Sequence, residues 1–306
     1  MKNRRIVALS TLWMLGIVLY HCGQGVSAAW YRELLADFRV GGVSYFFVVS
    51  GFFLARHAQG GGFCGWWRGE ILKRVRSLLL PYFLWCAIGL SGPDLLRQFG
   101  LVGVAPAADS PLWYVKFLFL FCLVSPLLVA GVRGLRGWAL PVLGVLLALL
   151  PHFALPMKFS LVHSLLAFAV GLALGLRREG GVLAKIPSRG ALAALLLWAL
   201  CYGLRVFAWG GNWPLNVYSS CSLVAGLWLL AGRLEFRREL PWVFGVSFWV
   251  YCVHALLLRW LPLPGAATVP GALACGVIVF AASCLSALPV SRFLPRLYSL
   301  LTGNRS

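Results

Sequence analysis

Few side chains in this chain could do chemistry, and two histidines set in apolar surroundings stand out. The run Ile6 to Tyr20 (IVALSTLWMLGIVLY) follows a basic cluster of Lys2, Arg4 and Arg5 and ends on His21. It is long enough to cross most of a bilayer and delivers an imidazole to the far boundary. An ionisable group at membrane depth is expensive to keep, so by default it marks a functional position. An imidazole with its ordinary pKa of about 6.5 is largely neutral near physiological pH and can take a proton from a hydroxyl. His254 lies in PWVFGVSFWVYCVHALLLRW, with Tyr251 one turn earlier on the same helical face. Taken alone, either histidine also fits a plainer role as a packed interfacial side chain.

Other candidates follow from residue type and spacing. Ser50-Gly51 interrupts the apolar helix GGVSYFFVVSGFFLARH. Small residues there permit close backbone approach, and the Ser50 hydroxyl can bond back to its own helix. Because no carboxylate stands near Ser50 or His21 in sequence, a Ser-His-Asp arrangement is not indicated. The segment RGEILKRVR, residues 68–76, places Lys73, Arg74 and Arg76 before an apolar run. It suits either a topology signal or an anionic ligand such as a coenzyme A phosphate, and Glu70 and Arg74 have ion-pair spacing. Asp109-Ser110-Pro111 reads as a helix start, followed by Trp113 and Tyr114 as interfacial aromatics and by Lys116, close enough to the end to snorkel. His57 reads as a boundary residue. His152 and His163 fall in or near a loop around Pro151 to Pro156 and read as solvated.

These residues must be positioned by membrane-spanning helices. The chain has 306 residues, 61% hydrophobic and 11% charged, against about 25% charged for soluble domains. That makes it an all-α, polytopic membrane bundle forming a single domain, 1–306, with no room for a separate soluble unit. Hydrophobic windows give about ten spans, near 6–22, 40–57, 78–92, 112–131, 138–151, 160–177, 189–209, 214–232, 242–260 and 268–289. With the N-terminus inside, Lys and Arg favour the cytoplasmic segments by about four to one, which predicts both termini in the cytoplasm. The net charge of +19 is therefore mainly a topology and headgroup signal, and nothing resembles a nucleic-acid platform. Nine cysteines without C-x-x-C spacing lie mostly in apolar runs, so neither a disulfide framework nor a metal site is expected. The basic start and Val26-Ser27-Ala28 resemble a cleaved signal peptide, but the long run ending in Tyr20 and His21 reads better as a retained anchor.

Six stretches together resemble the acyltransferase family 3 membrane proteins, which O-acylate envelope carbohydrates and related acceptors. They are LWMLGIVLYH ending at His21, YFFVVSGFFL at 45–54, LKRVRSLLLPYFLW at 72–85, PLWYVKFLFLFCLVSPLL at 111–128, SLLAFAVGLALGL at 164–176 and VSFWVYCVHALLL at 246–258. The resemblance implies a bacterial inner-membrane enzyme with no permanently bound cofactor. It also implies a cytosolic acyl-CoA donor, most simply acetyl-CoA, and a glycan or glycolipid acceptor at the outer face. It implies His21, His254 and Ser50 as catalytic residues, Arg74 with Lys73 and Arg76 at the donor, and Trp113, Tyr114 and Tyr251 at the substrate. Three positions depart from the family pattern: Ser10 stands where an arginine is usual, Ser77 where the basic motif has arginine, and Pro111 where a polar residue is common. Two other readings stay open, a transporter or flippase for lipid-linked sugars and an inactive scaffold. The first predicts internal repeats, which are not evident.

Overall fold

A computed structural model describes residues 4–57, 63–89, 112–153, 156–176, 188–233, 240–260 and 267–303. The hydrocarbon interior supplies no water to satisfy backbone polar groups, so a spanning chain closes its hydrogen bonds within each segment. The described residues accordingly form helices and no strands. In order these are α1 (Arg4–Cys22), α2 (Ala29–His57), α3 (Phe63–Arg74), a π-helical turn (Val75–Leu79) and α4 (Leu80–Gly89). There follow α5 (Trp113–Gly134), α6 (Ala139–Phe153), α7 (Pro156–Leu176), α8 (Ser188–Phe207) and α9 (Trp213–Ala231). The last are α10 (Ser247–Trp260), α11 (Val269–Phe293) and α12 (Pro295–Thr302), with short 3-10 turns at Arg136–Trp138 and Trp242–Gly245. Among the described residues six helices (α1, α2, α5, α8, α9 and α11) are each long and apolar enough to cross a membrane, and the other predicted spans fall on further helices. The predicted helix start at Asp109-Ser110-Pro111 lies outside the described residues.

The second span begins earlier than its hydropathy indicates. α2 starts at Ala29 rather than near residue 40 and runs for 29 residues. The stretch Trp30 to Arg39 reads as a charged loop, yet Tyr31, Leu35 and Asp37 are buried. Glu33 and Asp37, one turn apart, share Arg205 of α8, which is fully buried. Arg205 donates from Nε to Glu33 Oε2 at 2.8 Å and from Nη1 to Asp37 Oδ1 at 2.5 Å. Ser219 and Ser220 of α9 and the Trp198 indole of α8 donate to the same Asp37 carboxylate at 2.6, 3.2 and 3.0 Å. The Gly211 amide, in the turn between α8 and α9, donates to Glu33 Oε1 at 3.2 Å. Charges that look incompatible with a span thus close on one another and tie α2 to the α8–α9 hairpin.

On its other side α2 lies backbone to backbone against α7. A Cβ on Gly51 would strike the Phe168 carbonyl, and one on Gly171 would strike the Val48 carbonyl. Small residues in apolar helices allow this approach, as Ser50-Gly51 suggests from sequence. α1 crosses α2 with Trp13 fully buried beside Gly41 and Tyr45, and meets α11 where Gly276 abuts Leu19. At the chain end, α12 docks through Trp85 Nε1, which donates to Leu301 O at 2.9 Å, and through the Trp249–Tyr298 ring contact at 5.2 Å. The helix closes on Gly303, whose φ of 62° and contact with Ser77 leave no room for a side chain.

Gly171→Val should lower stability by about 1–3 kcal/mol through forced separation of α2 and α7. Gly203→Ala, at an α8 glycine with open space around it, should not. Arg205→Met should cost about 3–5 kcal/mol by stranding the buried Asp37 carboxylate and the half-buried Glu33 carboxylate, and adding Glu33→Gln and Asp37→Asn should recover much of that loss. Thermal unfolding in one detergent ranks all of these variants.

Candidate active site

His254 is fully buried in α10. Its Nδ1 stands 3.0 Å from the Val250 carbonyl oxygen one turn earlier. A carbonyl can only accept, so the proton resides on Nδ1 and the lone pair on Nε2. Nε2 is itself buried without a hydrogen-bond partner, an arrangement that needs explaining in an apolar bundle. Half-buried His21, at the end of α1, lies with its ring centroid 5.4 Å from that of His254. Helices far apart in sequence thus bring together the two histidines that stand out in it.

From this pair a polar and aromatic row runs along the bundle. The Tyr251 ring lies 6.3 Å from His254 and 5.7 Å from Tyr114 of α5, in an edge-on contact. The Tyr114 hydroxyl donates to Phe46 O at 3.3 Å and meets Ser50 Oγ at 3.2 Å. With the Tyr114 proton committed to Phe46, Ser50 is the donor in the second contact. Ser50 is therefore engaged with Tyr114 and separated from the imidazoles by two aromatic rings. Trp113 packs away from this row, against Phe47 at 6.5 Å and Phe117 at 5.5 Å.

The basic candidates form a separate group. Glu70 is buried in α3 and accepts from Lys73 Nζ at 3.0 Å and from Arg74 Nη2 at 3.2 Å, so the i, i+4 ion pair suggested by the spacing is formed. The Nε–H of Arg74 is buried and unpartnered, while Arg76 is exposed in the π-helical turn. A π turn is a frequent mark of functional sites, because it shifts the helical register at one point. α5, which carries Tyr114, packs against both α3 and this turn and so links the basic group to the row leading to the histidines.

Some residues behave otherwise than their sequence positions indicate. His163 is not solvated: it is buried in α7, with Nε2 2.7 Å from Ser44 Oγ, because the helix starts at Pro156 and carries it inward. His152 is exposed and contacts the Tyr218 hydroxyl at 2.6 Å. Ser10 donates to Ile6 O at 2.8 Å, the carbonyl that Tyr45 also caps at 2.8 Å. The Arg205 cluster is missed by reading residues singly. Its signal is the pairing of Glu33 and Asp37, one turn apart, with an arginine inside a later apolar run.

Burial alone would raise the Glu70 carboxyl, but the Lys73 hydrogen bond and the charges of Arg74, Lys73 and His57 outweigh it and hold it below its ordinary range. A depressed carboxyl adds stability that is complete above its ordinary pKa and lost as pH falls through its folded value. Acidification below the ordinary carboxylate range should therefore loosen α3 and the π turn, and Glu70→Gln should remove that part of the pH dependence. Hydrogen exchange of residues 69–79 against pH reads both effects.

Residues 9–288 match an acyltransferase domain family. The succinoglycan biosynthesis protein ExoH of Rhizobium meliloti (strain 1021) is 27% identical to this chain, in an alignment covering 99% of the chain and 93% of ExoH. No solved structure matches. The matched region runs from α1 into α11 and includes both histidines, the basic group and the row between them. The chain belongs to acyltransferase family 3 and is a multi-pass membrane acyltransferase.

Proposed function

We propose that this enzyme is an O-acyltransferase that moves an acyl group, most simply acetyl, from cytosolic acyl-CoA to a hydroxyl of a cell-envelope polysaccharide or its lipid-linked precursor. The observation that carries this reading is the pairing of His21 with His254, whose Nε2 lone pair is fixed by the Nδ1–Val250 bond. The role of ExoH in succinoglycan biosynthesis supports a polysaccharide acceptor. The orientation with both termini in the cytoplasm puts the basic group at the donor side and His21 towards the acceptor side.

The acceptor oxygen attacks the thioester carbonyl carbon while His21 removes its proton. The C–S bond then breaks, and coenzyme A leaves as the thiolate and takes up a proton. The His254 Nε2 lone pair steadies the His21 imidazolium as it forms, the role of an orienting third group beside a base. Arg74, through its unpartnered Nε–H, and Lys73 hold donor phosphates, with Arg76 exposed beside them. With Ser10 in place of an arginine, donor binding rests on this group. Tyr251 and Tyr114 line the way from donor to acceptor, and Ser50 supports Tyr114.

The test is coenzyme A release from acetyl-CoA by the protein in liposomes supplied with envelope glycan. His21→Ala and His254→Gln should each lower the rate by about a hundredfold or more, the usual contribution of a general base. A folded His21→Ala protein with wild-type transfer would overturn the assignment. Transfer from a different acyl-CoA but not from acetyl-CoA would correct only the acyl group.

A further inference from the structure

The charged residues near the junction of α1 and α2 divide into two kinds. Glu33 and Asp37 are both spent on Arg205. Arg39, two residues beyond Asp37, is exposed and has no carboxylate partner among the described residues. It donates from Nη1 to the Tyr20 hydroxyl at 3.0 Å, and its guanidinium carbon lies 4.9 Å from the Tyr20 ring centroid. The Tyr20 ring in turn stands edge-on to His21 with centroids 5.3 Å apart. A guanidinium has five N–H donors, and the Tyr20 contact engages Nη1 alone. Arg32, two turns earlier on the same helix, is also exposed and without a carboxylate partner among the described residues.

On the orientation proposed above this is the non-cytoplasmic end, where basic residues are disfavoured. An arginine kept there, braced on an aromatic ring that touches the catalytic imidazole, calls for a ligand. We infer that Arg39 binds an anionic group of the acceptor, a carboxylate or phosphate on the saccharide, and so selects acidic glycans or saccharide phosphates for acylation. The planar fork matches either anion through two parallel hydrogen bonds. The Tyr20 bridge places that anion beside the base that activates the neighbouring hydroxyl. The inference rests on the acyl-CoA-dependent transfer proposed above and adds the chemical class of the acceptor.

The experiment uses the full chain in phosphatidylcholine liposomes, with acyl-CoA as donor, envelope glycan as acceptor, and methyl glucuronide or methyl glucoside as competitor. Methyl glucuronide should inhibit the wild type, and the neutral glucoside at equal concentration should not. Arg39→Gln should raise the acceptor KM about tenfold, leave the donor KM unchanged and abolish inhibition by the glucuronide, while Arg39→Lys should fall between. An unaltered thermal unfolding curve for Arg39→Gln would separate this from misfolding. Equal inhibition by both glycosides, or a wild-type acceptor KM in Arg39→Gln, would overturn the inference. An Arg39→Gln defect seen only when phosphatidylglycerol is added would assign Arg39 to a lipid headgroup and also overturn it. A wild type that releases no coenzyme A with any acyl donor overturns the transfer reading itself, and this inference with it.

Discussion

The architecture depends on how tightly α2 can be held on both sides at once. On one side its backbone touches that of α7, because Gly51 and Gly171 leave no side chain between them. On the other, Glu33 and Asp37 close on Arg205 and bind the helix to the α8–α9 hairpin. The first contact relies on the absence of atoms, the second on charges that are tolerable in an apolar interior only when paired and fully hydrogen-bonded. Between them α2 presents one more face to α1 and α5, and on that side the chemistry gathers. Tyr45 fastens the start of α1, Phe46 and Ser50 hold Tyr114, and Arg39 reaches Tyr20.

This division of labour explains why the histidines form a pair. α1 and α10 carry one each and pack directly against one another. That contact is braced by α2 and α11, against which α1 is packed, and by the aromatic docking of α12 on Trp85 and Trp249. The result is an imidazole whose tautomer is fixed by its own helix, beside a second one that is half-buried. The basic group stands apart, with α5 as the connecting element. The proposed transfer, from a charged, water-soluble donor on one side to an acceptor on the other, needs such a separation, with little charge in between.

Much of this was legible in the sequence, for physical reasons. Long apolar runs have one backbone solution in lipid, so the all-helical bundle follows from composition, and His21 and His254 are conspicuous because ionisable groups are rare there. The spacing of Glu70 and Arg74 foretold their ion pair, and Ser50-Gly51 foretold a close helix contact. What was not legible depended on partners distant in the chain. The segment from Trp30 to Arg39 reads as a loop because its charges are counted singly, whereas Arg205, more than 160 residues later, pairs with both of its carboxylates. His163 reads as a loop residue because Pro151 and Pro156 suggest a break, yet α7 begins at Pro156 itself, a residue suited to a helix start. Ser50 gave no sign that its hydroxyl would be committed to Tyr114, since the two are 64 positions apart.

The central claim is that His21 and His254 act together as the base of an O-acyl transfer. Its most direct test is the base-labile acyl content of envelope polysaccharide from cells producing wild type, His21→Ala or His254→Gln at equal membrane levels. Ester present with the wild type and absent with both variants is the predicted result. Ester undiminished in either variant would contradict the pairing, and polysaccharide free of ester in all three would contradict the assigned acceptor.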